Sequence, residues 1–367
     1  MTSREVIDAL LRHKKASRIG VFESFWPETI PAWLEQGYPT YKNEAGESLP
    51  VDYIEHFGLD MRDTAKWLDP MPNQGFLETV EETDEWISRR NGAGAVLKYW
   101  KHKSGTPEHV DFRMTSREVW ERDYRSLVDI IDRNRVDIEG TKKNLALCRE
   151  KGNFACFGHT LIWETMRASL GDICMFESMA LDPEWIHDYC RVYTDYYKNH
   201  YKILLEEAGL PDGVWIYEDL AYRNGLFCSP KTMDELIFPY YRDMVSFYHG
   251  YGIPVVLHSC GNISEGVKLV AEAGFDGLNP MEVKAGCDLF KFAEEYGDQL
   301  TFIGGLDVRI LETGDRDVIK AGILRIISGM KSRGARYVFG SDHSIPPTVK
   351  YEDYKYALEV YRDNMNY

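Results

Sequence analysis

The feature that most constrains the fold is a rhythm that recurs from about residue 150 onward. A short apolar run is followed by a polar cluster and then by a helical stretch. Continuously apolar runs of this length are typical of strands buried on both faces, and their alternation with helices indicates parallel pairing. The six runs lie at 153–158, 213–217, 253–257, 276–280, 300–305 and 336–340.

The helices between these runs have recognisable ends. One is predicted over 183–209, because Asp182 and a following proline form a typical helix start. A second is predicted over 230–250 after Ser229, and a third over 262–273. Each strand is therefore expected to be followed by a helix that packs on the sheet.

A further run at 18–24 brings the number of candidate strands to seven, one fewer than a closed barrel needs. We expect the eighth between residues 70 and 80. The predicted fold class is α/β, a (β/α)8 TIM barrel forming a single domain over 1–367. Residues 25–150 are expected to elaborate the barrel mouth with helices and with a hairpin at 95–114.

Charge and composition exclude several classes of partner. The 43 lysines and arginines against 59 aspartates and glutamates give a net charge of −16, which repels nucleic acid and anionic lipid surfaces. No stretch approaches the roughly 20 consecutive apolar residues of a membrane helix, and residues 1–15 lack the features of a signal peptide. A cytoplasmic enzyme is predicted, and its seven scattered cysteines are interpreted as reduced thiols.

Chemically capable side chains stand at the carboxyl ends of the six later runs, where barrel enzymes build their active sites. Any one of them could instead cap a helix or bond to a loop, but six in succession favour an active site. They are His159, then Glu218 and Asp219, then His258 and Cys260, then Glu282, then Asp307, and finally Asp342 with His343.

The sharpest local signal is the pair His258 and Cys260. Two residues apart on an extended strand, both side chains point to the same side and could share one ion. Zinc suits such a mixed nitrogen and sulfur set. Because strand ends surround one barrel mouth, Glu282 and His343 are predicted as further ligands.

Two carboxylates near these ligands have two open interpretations. Asp307 or Asp342 could orient a ligand imidazole from behind, or each could simply cap the following helix. For the chemistry itself, Glu218, Asp219 or His159 could carry a proton or hold a substrate hydroxyl.

Aromatic residues near the strand ends suit an aromatic or apolar substrate, although each could equally fill the core. Arg309 could pair with a carboxylate. The predicted substrate-binding residues are Phe22, Trp26, Trp163, Tyr217, Tyr222 and Arg309.

From about residue 150 onward the chain resembles the uroporphyrinogen decarboxylase superfamily. The resemblance lies in EDLAYRNGLFCSP (218–230), LHSCGNI (257–263), GLNPMEVKAGCDL (277–289), FIGGLDVRIL (302–311) and FGSDHSIPP (339–347). It implies a (β/α)8 barrel. True decarboxylases carry an arginine-rich early segment of the form RQAGRY, whereas residues 20–39 here contain three glutamates and no arginine. That difference disfavours binding of a porphyrinogen with eight carboxylates.

The resemblance is closer to the branch of methyltransferases that work with corrinoid proteins. Their metal pattern is similar to His258 and Cys260 followed by a late cysteine, where this chain has His343. Cobalamin-independent methionine synthases are similar in placing a glutamate about where Glu282 stands. The resemblance implies zinc as cofactor, a corrinoid (cobalamin) carried by a partner protein, and a small-molecule methyl donor or acceptor such as an O-methyl aromatic or a thiol. Arg309 could then pair with a corrinoid side chain.

Three functions remain open at this point. A zinc-dependent, corrinoid-linked methyltransferase leads, and with one thiolate among its ligands the zinc would act mainly as a Lewis acid in O-demethylation. The alternative is decarboxylation of a tetrapyrrole or related acid. The third is a catalytically silent barrel that only binds a partner or small ligand.

Overall fold

Eight parallel strands form the centre of the molecule in a computed structural model that describes residues 1–102, 105 and 107–367. Seven of the strands pair successively along the chain and the first strand pairs with the last, so the order around the sheet is the order along the chain. The barrel predicted from the strand rhythm is confirmed. The strands are β1 (Gly20–Val21), β2 (Met61–Asp63), β3 (Phe154–His159), β4 (Gly213–Tyr217), β5 (Val255–His258), β6 (Gly277–Asn279), β7 (Thr301–Ile303) and β8 (Tyr337–Phe339).

The sheet closes between β1 and β2 through Asp60 rather than through a regular ladder. Asp60 N–H donates to the carbonyl of Val21 at 2.9 Å, and its carboxylate accepts the Val21 N–H at 2.8 Å. The buried charge is balanced by Arg18, which donates to both carboxylate oxygens at 2.6 and 2.8 Å. One buried ion pair therefore fastens the first strand to the second.

The eighth strand lies at Met61–Asp63 and not between residues 70 and 80, where we expected it. Its three residues include one buried apolar side chain, so it has no periodic pattern by which to recognise it. Residues 25–150 thus contain a barrel strand in addition to the elaboration. Residues 70–77 connect instead to an antiparallel sheet.

That sheet has four antiparallel strands, at Glu78–Glu82, Trp86–Arg90, Val96–Trp100 and Glu108–Asp111. The last two form the predicted hairpin, and positions 103, 104 and 106 at its tip lie outside the described residues. Two short hairpins pair Thr40–Lys42 with Ser48–Pro50 and Ala221–Tyr222 with Gly225–Leu226.

Sixteen α-helices occur in the described part of the chain. They are α1 (Ser3–Leu11), α2 (Thr29–Leu34), α3 (Tyr53–Phe57), α4 (Arg117–Val119), α5 (Arg125–Val128), α6 (Ile138–Lys151), α7 (Ile162–Leu170), α8 (Asp172–Leu181), α9 (Pro183–Glu207), α10 (Pro230–Leu236), α11 (Phe238–Gly250), α12 (Val267–Glu272), α13 (Leu289–Tyr296), α14 (Val308–Glu312), α15 (Arg316–Ser332) and α16 (Tyr351–Asn364). None of the helices found among these residues is long and apolar enough to cross a bilayer.

Two of the predicted helices differ from the observed ones. The segment expected as one helix over 230–250 is divided into α10 and α11 at Ile237, because Pro239 has no N–H with which to continue the helical ladder. The helix expected over 262–273 is reduced to α12, since a loop of turns precedes it. The helix after Asp182 forms as predicted, with that side chain accepting the N–H of Trp185 at 3.4 Å.

Along each strand, successive side chains face alternately the barrel interior and the surrounding helices. Helix α1 covers the amino-terminal end of the barrel, where Thr301 at the start of β7 donates to its Leu10 carbonyl at 2.8 Å. The interior is filled by Met61, Phe154, Cys156, Trp215, Val256, Ile303 and Val338. The outward side chains Ala155, Phe157, Val214, Ile216, Val255 and Leu257 pack with the helices.

Candidate metal centre

His258 and Cys260 lie at the carboxyl end of β5 and face the barrel mouth. His258 shares the inward parity of Val256, and Cys260 follows two residues later. The Cys260 Sγ lies 3.4 Å from the Nε2 of His258. The two side chains are thus already close enough to bind one ion.

Asn279, which our sequence analysis did not single out, orients the imidazole. Its Nδ2 donates to the Ile303 carbonyl at 2.9 Å, which turns its Oδ1 toward the Nδ1 of His258 at 2.5 Å. A carbonyl oxygen there requires a hydrogen on Nδ1, so the Nε2 lone pair faces Cys260. Such a hydrogen bond behind a ligand histidine is the usual arrangement in metal sites.

Asp219, at the end of β4, joins this pair. Its Oδ1 accepts the N–H of Cys260 at 2.8 Å and lies 3.8 Å from the Nε2 of His258. The three potential ligand atoms all lie within 4.8 Å of one another. The sequence analysis considered Asp219 for carrying a proton or holding a substrate hydroxyl, and the geometry adds it to the groups able to hold a metal.

This donor set fits zinc. One imidazole nitrogen, one sulfur and one carboxylate oxygen are all zinc ligands, and three protein ligands leave a fourth position for an exchangeable group. Burial, together with the charges of Asp219 and Glu282, raises the pKa of the Cys260 thiol, and burial lowers the pKa of His258. A bound cation would compensate the charges that carboxylate and thiolate concentrate here.

Glu282 and His343, which we predicted as the remaining ligands, stand apart from the three. Glu282 accepts the N–H of Gly261 at 2.6 Å and lies 3.3 Å from the Nζ of Lys284. The His343 ring stacks on Trp26, with centroids 5.7 Å apart. Among the residues that the structure describes, no metal-sized cluster includes either of them.

Gly261 is required by the backbone beside the cluster. Its φ is +82°, and a Cβ there would lie 2.5 Å from the backbone carbonyl of Ala221. We expect Gly261→Ala to lower the free energy of unfolding by about 2 kcal/mol and to weaken zinc binding, because Cys260 must shift. Urea unfolding and zinc titration measure both effects. Gly250→Ala, with open space at its Cβ position, is the control, and equal behaviour of the two variants would contradict this prediction.

Asp307 and Asp342 bond to the backbone and do not contact the imidazole of His258. Asp342 is buried and accepts the N–H groups of Val283 at 2.8 Å and Val308 at 2.9 Å. Asp307 caps α14 and binds Arg309 through both oxygens at 2.8 and 2.7 Å. Of the two interpretations left open above, Asp307 shows the capping of the following helix. Asp342 instead holds two loops together through their backbone N–H groups.

Glu218 points away from the mouth, because it lies two residues after Ile216, whose side chain packs with the helices. Its fully buried carboxylate accepts hydrogen bonds at 2.6 Å from the N–H of Leu161, the N–H of Trp163 and the hydroxyl of Tyr241. Burial raises its pKa to about 8, and these donors oppose the rise. Glu218 therefore holds the start of α7 rather than meeting a substrate.

His159 likewise faces outward and is buried among tyrosines. Its Nε2 lies 2.8 Å from the hydroxyl of Tyr248, and its ring packs against Tyr197 and Tyr201. Burial lowers its pKa to about 4, so the imidazole is neutral. From this position the imidazole has no access to the mouth, which the proton-carrying role considered for it would require.

Two cavities meet at Cys260. The smaller, of about 140 Å³, is lined by Phe22, Trp26, His258 and His343 among others. An apolar cavity of similar volume holds one benzene ring, whereas this one also has polar walls at Glu23, Asn279, Ser341 and Ser344. The larger and more open one measures about 540 Å³ and includes Tyr222, Arg223, Glu282, Lys284 and Arg309.

The predicted aromatic residues divide between the site and the core. Phe22 and Trp26 line the smaller cavity, and the Tyr217 ring lies 5.0 Å from that of His258. Tyr222 is exposed at the open cavity. Trp163 is fully buried against Phe176 and takes no part in either cavity.

A comparison with family models decides the relationship. The model described as uroporphyrinogen decarboxylase (URO-D) matches residues 171–363, which include Asp219, His258 and Cys260 of the candidate metal centre. The chain belongs to the uroporphyrinogen decarboxylase family. The resemblance derived from the motifs is thereby confirmed. A search of curated proteins found no match.

Solved structures resemble this family member to different degrees. A methyltransferase from Methanosarcina mazei covers 99% of both chains with a TM-score of 0.69 and 17% identity, so the two share a fold. An L-ribulose 3-epimerase reaches a TM-score of 0.38 at 13% identity over 63% of this chain and 74% of its own. An AP endonuclease of family 2 from Brucella melitensis reaches 0.35 at 12% identity, over 63% and 84%.

Proposed function

We propose that the protein is a zinc-dependent methyltransferase that moves a methyl group between a small substrate and a corrinoid carried by a partner protein. The observation that carries this proposal is the cluster of Asp219, His258 and Cys260 at the junction of two cavities. A site for one small molecule and an approach for a second reactant then meet at the same metal position. Membership of a family with a methyltransferase-like fold supports it.

The chain's own residues supply binding and orientation in this proposal. His258, Cys260 and Asp219 would hold the ion, and Asn279 orients the imidazole. Zinc, when bound, would supply Lewis acidity toward the oxygen of a methyl ether or hold a thiol as thiolate. The single thiolate in the set favours the first of these, hence demethylation.

The smaller cavity suits an O-methyl aromatic substrate. Its volume of about 140 Å³ matches one ring, and Phe22 and Trp26 provide aromatic walls. His343 stacks on Trp26, which makes it part of the substrate wall in this proposal rather than a ligand. Fixed aromatic surfaces would hold the ring while its methoxy group points toward Cys260.

The open cavity suits the corrinoid. Arg223, Lys284 and Arg309 line it, in a chain whose net charge is −16. Corrinoids with a nucleotide loop carry a phosphodiester, which guanidinium and ammonium groups bind well. Lys284 and Arg309 are engaged by Glu282 and Asp307, whereas Arg223 is exposed.

The proposal is tested by incubating zinc-loaded protein with free cob(I)alamin and a panel of methyl phenyl ethers. We expect methylcobalamin to form, as seen in its absorbance, and expect Cys260→Ala to lower the rate at least about a hundredfold. Cys174→Ala, at a thiol that lines neither of the two cavities, should keep the rate. Absence of transfer from every ether and from methyl thioethers would overturn the proposal. Formation of coproporphyrinogen from uroporphyrinogen by metal-free protein would establish the decarboxylase alternative instead.

A further inference from the structure

Glu23 is a buried carboxyl group to which the sequence analysis assigned no role in the site. It follows β1, has 6% of its surface exposed, and lines the smaller cavity together with His258 and Cys260. A carboxyl group that is buried without a cationic partner is costly in its charged form. Its position beside the metal cluster therefore raises the question of which protonation state the structure favours.

The number of hydrogens available for the hydrogen bonds around Glu23 indicates its protonation state. The Ser341 Oγ lies 2.6 Å from Glu23 Oε1 and also contacts the carbonyl oxygen of His343. A serine hydroxyl has one hydrogen and can donate to only one of them. Both contacts are satisfied if Glu23 is protonated and donates to Ser341, which then donates to His343. Backbone N–H groups of Ser24 and Ser341 complete the contacts of Glu23, at 3.2 and 3.1 Å.

The surrounding charges agree with a neutral carboxyl group. Burial raises the pKa of Glu23 to about 8, and the nearby charge of Asp342 acts in the same direction. The titratable groups that face Glu23 from the packed elements and across the cavity are Asp342, Tyr337, Tyr354, His258, Cys260 and His343.

We propose that Glu23 is the proton donor to the atom that leaves when the methyl group is transferred. This inference rests on the proposed function. The bond between the methyl carbon and the ether oxygen breaks, and the methyl group passes to the reduced corrinoid, which supplies the electron pair. The oxygen keeps the pair of the broken bond and takes the proton of Glu23, so that a phenol and a glutamate carboxylate result. Solvent then returns the proton through the cavity.

The protonation state is tested without any activity by the pH dependence of stability. A group whose pKa is about 4.5 unfolded and about 8 folded stabilises the folded state at low pH, and that contribution is lost as the pH rises through this window. We expect the unfolding equilibrium constant of the wild type to rise about fiftyfold relative to Glu23→Gln between about pH 6 and pH 8. Glu35→Gln, at an exposed position, is the control and should run parallel to the wild type.

The donor role is tested by varying the leaving group. For methyl phenyl ether, a poor leaving group needs a proton, and Glu23→Gln should lower the rate about a hundredfold. For methyl 4-nitrophenyl ether, whose phenolate leaves without help, the loss should be under about threefold. A merely structural effect would lower both rates by the same factor.

Each outcome decides the matter. Parallel pH profiles of the wild type and Glu23→Gln, or equal losses with both ethers, overturn the inference while leaving methyl transfer intact. A wild type that demethylates no ether removes the proposed function and the donor role with it, and the pH profile still decides the protonation of Glu23. If Glu23→Gln does not fold, Glu23→Met takes its place in the pH and leaving-group comparisons, and parallel pH profiles or equal losses with both ethers again overturn the inference.

Discussion

Replacement of Cys260 by alanine is expected to remove stoichiometric zinc from the protein. The wild type should retain about one zinc ion per chain after dialysis, and Cys260→Ala and His258→Ala should retain essentially none. Each variant leaves only two of the three converging ligand atoms, too few for a site that must also keep one exchangeable position. Zinc content by elemental analysis, and competition with a chromogenic chelator, measure the effect.

Two further variants distinguish the observed cluster from the ligand set predicted from sequence. Asp219→Asn should weaken zinc binding more than about tenfold, because a carboxylate oxygen is replaced by an amide oxygen. His343→Ala should change it by less than about threefold, because that ring stacks on Trp26 outside the cluster. The reverse order would show that His343 moves in to bind the metal. Cys174→Ala controls for the loss of a thiol at a remote position.

Glu218→Gln is expected to lower the free energy of unfolding by about 3 kcal/mol while zinc binding persists. The carboxylate accepts from two backbone N–H groups and one hydroxyl, all at 2.6 Å, in a fully buried position. The amide nitrogen of glutamine cannot accept, so at least one buried donor loses its partner at about 1 to 3 kcal/mol.

Denaturant unfolding of the zinc-loaded protein measures this change, and Glu265→Gln on an exposed loop is the matched control. Unfolding within about 0.5 kcal/mol of wild type would contradict the structural role of Glu218. Loss of activity with unchanged stability and zinc content would return it to the catalytic groups considered from sequence.

The strand parity explains which site predictions the structure supports. In β5, Val255 and Leu257 face the helices, so Val256 and His258 face the barrel interior. Cys260, two residues after His258, therefore lies on the same side. Applied to β3 and β4, the same rule turns His159 and Glu218 outward, in line with Phe157 and Ile216. The signal was thus present in the sequence, but the apolar runs are buried on both faces and do not themselves reveal which side is the interior.

Other features could not be obtained from local patterns. Asn279 and Glu23 are important only because Ile303 and Ser341 lie across from them, far away along the chain. The strand at Met61–Asp63 is too short to carry a periodicity, and it is defined by pairing with β3 and by the Asp60 connection to β1.

Local sequence was sufficient for the strand and helix rhythm, for the parallel barrel, for the family and for the pair His258 and Cys260, because short apolar runs, helix starts and motifs of a few residues indicate each of them. The third member of the cluster, and the separation of Glu282 and His343 from it, depended on how strand ends and loops are arranged around the mouth. Ligand atoms must lie within a few ångströms of one another, whereas the position of a residue in the sequence specifies only which strand it follows. That final distance is set by packing across the whole barrel, so only the tertiary structure could select Asp219.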